Sequence, residues 1–159
     1  MALTPTVEQV IAAVKTAIAA AFPTHDVLAY ETTLDDDREY IDQFQDPDTG
    51  RLDLWLIDVE SVDPIEGPAA REDYEPIRVR ARYLSLRKSD LDWSQTARTN
   101  AETARATLAQ NNSIFRIGGQ VPINNTPETV SLEHGSEELE GSKIYRDILR
   151  LTVEGRRWG

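Results

Sequence analysis

The sequence predicts an α+β fold: a mainly antiparallel sheet with two helices packed on one face, in the order α-β-β-β-α-β-β. Three observations predict it. Apolar residues recur at helical spacing near the N-terminus. Three later segments alternate apolar and polar residues, and an alanine-rich helical stripe stands between the second and third of them. There is no internal repeat, low-complexity tract or linker, so residues 1–159 read as a single domain with acidic loops near 34–50 and 60–76.

The first helix is capped by Thr4 ahead of Pro5, or by Thr6 with Gln9 as its reciprocal partner. Val7, Val10, Ile11, Val14, Ile18, Ala21 and Phe22 then form one apolar stripe, which Pro23 stops. Glu8, Lys15 and Thr16 occupy the other side, so this helix lies on a sheet. Asp26–Thr32 reads as a short strand. Leu34–Gly50 reads as a long acidic loop or hairpin tip, punctuated by Tyr40 and Phe44. Leu52–Val59 is a strand whose second face is half apolar, which suggests cover on both sides. Glu60–Pro76 is a further acidic loop. The cleanest alternation follows: Ile77, Val79, Ala81 and Tyr83 point one way, and Arg78, Arg80 and Arg82 the other.

The second helix runs from about Ser89 to Gln110, its start favoured by Asp90 and Asp92. Trp93, Ala97, Ala101, Ala104 and Leu108 make a stripe that allows close approach to a sheet. Ile114–Ile117, Val121–Ile123 and Thr129–Leu132 read as strand fragments. His134–Gly141 reads as an acidic turn, and Ile144–Glu154 as a long final strand with Leu149, Leu151 and Val153 inward.

The net charge is −11, unevenly placed: Thr24–Glu75 holds 17 acids against Arg38, Arg51 and Arg71, a net of −14, while the rest carries +3. A phosphate-tracking nucleic-acid binder needs a basic face, so that class is disfavoured. The absence of cysteine removes disulfides, zinc–thiolate sites, iron–sulfur clusters and thiol nucleophiles, and fits a reducing compartment. No signal peptide or membrane span is expected.

Catalytic motifs are sparse, and no catalytic, cofactor or metal residue is assigned. Asp48-Thr49-Gly50 matches the aspartic-protease triplet, but Gln45, Asp46 and Pro47 precede it where an apolar strand is required, so it reads as a turn. A calcium loop through Asp46, Asp48 and Gly50 fails because the glycine comes too early and Ile57 stands where a bidentate Glu belongs. His25 and His134 are the only histidines; no nucleophile elbow, H-x-x-x-H pair or Gly-rich phosphate loop is present. The spacing leaves a His–Ser–Asp constellation open without supporting one. The expectation is a protein that is not an enzyme.

The run from helix Val7–Phe22, through Leu52–Val59 and Ile77–Leu86, to the alanine-rich helix and the terminal strand Ile144–Trp158 resembles the tail-terminator proteins of tailed phages, and among them the Mu-like minor tail proteins. The resemblance covers most of the chain and rests on architecture; the insert Leu34–Gly50 and the stretch Gln120–Ser142 depart from it. It implies a virion protein assembled in the host cytoplasm. It also implies a homohexameric ring that caps the tail tube and meets tube, sheath and neck proteins, with DNA passing through the lumen without specific binding. A head–tail connector, neck or baseplate component, or an acidic cytoplasmic adaptor docking a basic partner, are the alternatives. Arg78, Arg80 and Arg82 are the candidate interface, meeting acids such as Asp35, Asp36 and Asp37 from a neighbouring subunit or partner; pairing within the subunit is the competing reading. The final strand is a second candidate, as an exposed edge on which Arg150 and Glu154 limit unwanted pairing.

Overall fold

Leu52 to Ile57 is a run of six buried residues, and the sheet grows around it. The computed structural model describes residues 7–29, 37–62, 74–87, 93–110, 130–139 and 142–156. Their elements are α1 (Val7–Ala21), β1 (Asp26–Ala29), α2 (Asp37–Phe44), β2 (Leu52–Val62), β3 (Tyr74–Leu86), α3 (Trp93–Gln110), β4 (Val130–Leu139) and β5 (Ser142–Arg156). The strands form one sheet in the order β1-β2-β3-β5-β4. Three pairings are antiparallel, and β1 runs parallel to β2. The fold is α+β.

Alternation assigns the two faces. Trp55, Ile57, Val79, Ala81, Tyr83, Leu149 and Leu151 point to the side covered by α1 and α3, where they pack with Val10, Ile11, Val14, Ile18, Trp93, Ala97, Ala104 and Leu108. The alanines of α3 keep its axis close to the sheet and let it touch α1. The opposite side holds Leu52, Leu54, Leu56, Leu84, Leu86 and Ile144, covered by Ile41 and Phe44 of α2.

Four expectations need correction. The acidic insert is not all loop, because α2 forms inside it: Ile41 and Phe44, three residues apart, share one helical face and gain burial against the second side of β2. That helix also makes the β1–β2 connection a crossover between parallel strands rather than a hairpin. His134 does not lie in a turn but in β4, where the ladder to β5 pairs every residue from Val130 to Leu139. Of the acids that suggested a turn, Glu137 is matched across the strands by Arg146, as Glu133 just before them is by Arg150. Lastly, β5 is not an edge, since β3 and β4 flank it.

The Asp48-Thr49-Gly50 segment is the turn expected of it. Asp46 Oδ1 accepts from the amides of Asp48 at 2.8 Å and Thr49 at 3.3 Å, and Gly50 takes the left-handed φ of 73°. Residues 63–73 and the fragments Ile114–Ile117 and Val121–Ile123 lie outside the described residues, as do Thr4–Thr6, Asp90, Asp92 and Trp158.

Candidate functional site

Three polar constructions stand out on this frame. The first is the arginine row. Arg78, Arg80 and Arg82 share one face of β3, as the alternation requires, and Arg150 of β5 lies directly opposite Arg80. Like charges placed so repel, and each is matched from its outer side. Asp58 of β2 accepts two bonds from Arg80, at 3.0 and 2.7 Å, while Glu133 of β4 accepts from Arg150 at 2.9 Å. Arg82 lies 3.9 Å from Asp58 and Arg146 lies 2.7 Å from Glu137. Across four strands the charges therefore read minus, plus, plus, minus, forming an ion-paired band beside the apolar patch under α2. Pairing within the subunit thus accounts for Arg80, Arg82 and Arg150. Asp35 and Asp36 lie outside the described residues; Asp37 opens α2 and Glu154 lies on β5, but their side chains are outside the described set.

The second is a buried network that the sequence did not reveal. Asp53 points to the α1/α3 side of β2 with its side chain 4% exposed. Its Oδ1 accepts from the Tyr83 hydroxyl at 2.5 Å, and its Oδ2 from Arg51 Nε and Arg87 Nη2, both at 2.7 Å. Asn100 of α3 donates to Tyr83 at 3.1 Å, and the Arg87 guanidinium lies 3.7 Å over the Trp93 ring. His25 Nδ1 accepts from Trp55 Nε1 at 3.1 Å, so that nitrogen carries no proton. Phe22, His25, Tyr83 and Trp55 stack with ring centroids 4.5–5.6 Å apart.

The electrostatics follow from burial and partners. Burial alone would raise the Asp53 carboxyl, but the Tyr83, Arg87 and Arg51 hydrogen bonds outweigh it and hold the group below its usual range. Burial lowers His25, against Asp53 and with help from Arg51 and Arg87. Burial, reinforced by Asp53, pushes the Tyr83 hydroxyl far above the ordinary phenol range. A charged carboxylate bonded to a neutral phenol, with a neutral imidazole stacked on the phenol ring 3.7 Å from the carboxylate, clasps β2 to β3 and α3. The one sequence signal was Asp53 itself, a charge in the otherwise apolar run Leu52–Ile57.

The third is a cleft of about 470 Å³ where the start of α3 meets β4 and β5. Ser94 and Arg98 of α3, His134 and Ser136 of β4, and Tyr145 and Asp147 of β5 line it. His134 and Asp147 are cross-strand partners, and His134 Nδ1 hydrogen-bonds Asp147 Oδ1. Burial raises the Asp147 carboxyl above its usual range, with His134 and Arg98 opposing. Reading His134 into a turn hid this pair; on a strand, its alternation with Val130 and Leu132 turns it toward Asp147.

No group of three or more His, Asp or Glu side chains suited to a metal occurs among the described residues, and no described helix is long and apolar enough to cross a membrane. No protein-family model and no curated protein matches the chain.

Proposed function

We propose that this chain is a structural virion protein of the tail-terminator kind, without enzymatic activity. In this reading it assembles as a homohexameric ring that caps the tail tube and joins it to the neck. The observation that carries the proposal is the ion-paired band on the sheet face away from α1 and α3. Arg80, Arg82, Arg146 and Arg150 are flanked there by Asp58, Glu133 and Glu137 over four strands, ion-paired and still 20–40% exposed along the arginine side chains. Such a band presents charge in register at little further ordering cost, which suits exchange of ion pairs with a neighbour. The chain supplies the complement: net −14 between Thr24 and Glu75, with Asp42, Asp46 and Asp48 exposed around the α2–β2 turn. A contact between two different patches of the same chain is heterologous and closes into a ring when its rotation permits. An acidic lumen would let DNA pass by repelling its phosphates, and the element order resembling tail terminators supports the same role.

Replacing Arg78, Arg80 and Arg82 together by Ser tests this contact. The lost pairs are partly exposed and worth about 0–1 kcal/mol each, so the variant folds. Its mass in solution should drop from ring to monomer, with an unchanged circular dichroism spectrum. A variant that assembles like the parent would remove the band from the interface.

A further inference from the structure

The cleft at the start of α3 is not explained by a structural role. Its walls are rich in donors: the Arg98 guanidinium and the hydroxyls of Ser94 and Ser136, set at the first turn of α3. These features favour a negatively charged occupant. One feature runs the other way. Asp147, its side chain 4% exposed, uses Oδ1 for His134, while its buried Oδ2 has no hydrogen-bond partner among the described residues. A buried acceptor without a donor is costly, and here it borders the cleft.

The two demands together define the ligand. The donors require an anion, and Asp147 Oδ2 requires that anion to carry a proton. Sulfate and phosphodiesters carry none at neutral pH, and neither does an ordinary carboxylate. Hydrogen phosphate always does, and a phosphomonoester does in its monoanion. An ammonium ligand would satisfy Asp147 but would face Arg98 and the positive end of α3. We infer that this cleft is a phosphate site, taking hydrogen phosphate or the monoanion of a phosphomonoester, with Asp147 Oδ2 accepting the proton of the ligand's hydroxyl. The His134 bond fixes the carboxyl rotamer. Oδ2 is itself buried, so binding requires a wall side chain to rotate outward and admit the ligand to it. The site is independent of ring formation, and it lies on the opposite side of the sheet from the ion-paired band.

Calorimetric titration of the intact chain at neutral pH, in a buffer free of oxyanions, tests it with inorganic phosphate, sulfate and O-phosphoserine. Phosphate should bind about tenfold or more tightly than sulfate, the factor expected when one hydrogen bond to a charged acceptor is lost. Tighter binding of O-phosphoserine than of phosphate would name a phosphomonoester as the source, and the reverse order free phosphate. Asp147→Asn puts a donor where the acceptor was and should erase or invert the preference for phosphate, whereas Arg98→Gln should weaken both anions alike. Equal affinity for phosphate and sulfate in the parent chain, or no binding of either, would overturn the assignment even if Asp147→Asn fails to fold. So would a folded Asp147→Asn chain with an unchanged preference.

Discussion

Asp53 keeps its charge almost out of reach of water because Tyr83, Arg51 and Arg87 supply the hydrogen bonds that water would otherwise make. Beside it, His25 stays neutral, stacked between Phe22 and Tyr83 and accepting from Trp55. These residues give acid stability a defined shape. His25 is lowered from 6.5, so below 6.5 and down to its folded value the unfolded chain binds more protons, and stability rises with pH there. Asp53 is also lowered. Its contribution is full above 3.8 and is lost as pH falls through the folded value. Asp147 is raised and acts in the opposite sense, contributing stability below 3.8 that is lost as pH rises through its folded value. The urea midpoint should therefore fall on going from about pH 7 to about pH 5. His25→Gln should flatten that arm while leaving the decline at lower pH. An equally steep arm in the variant would mean that another group controls it.

At the scale of elements, what could be read from the sequence followed the strength of each segment's period. Helix α1 and strands β2, β3 and β5 carry long, regular patterns, and the structure has them within a few residues of the expected bounds. Helix α2 and strand β4 were hidden by charge. In α2, five of the eight residues are polar or charged, and the pair Ile41 and Phe44 beside Tyr40 is too short a stripe to stand out, though β2, with apolar residues on both faces, already called for cover on both sides. In β4, Glu137 and Glu138 resemble a solvated turn until β5 supplies Arg146, diagonal to the first of them. The cleft was illegible for the same reason, since placing His134 beside Asp147 needs the β4–β5 register. The Arg78, Arg80 and Arg82 row was legible from alternation alone, but its pairing with Asp58 was not. If α2 is held by its apolar pair, Ile41→Ala should cost about 2–4 kcal/mol in urea unfolding. A loss under about 0.5 kcal/mol would mean that α2 contributes little to the fold.

At the scale of the molecule, charge is divided between an acidic stretch and a frame that is slightly basic, and the ion-paired band lies on the face that α1 and α3 leave uncovered. A sheet face of this kind gains little from apolar cover, because burying its arginines without fresh partners would cost more than the contact returns. It is suited to meet another charged surface, and contacts built this way weaken as salt screens them. The most direct measurement is the mass of the purified chain by light scattering over a range of protein and salt concentrations, with negative-stain imaging of any large species. The account predicts a discrete ring of hexameric mass that dissociates toward monomer as salt rises. A monomer at every concentration and salt, with no ring in the images, would contradict it.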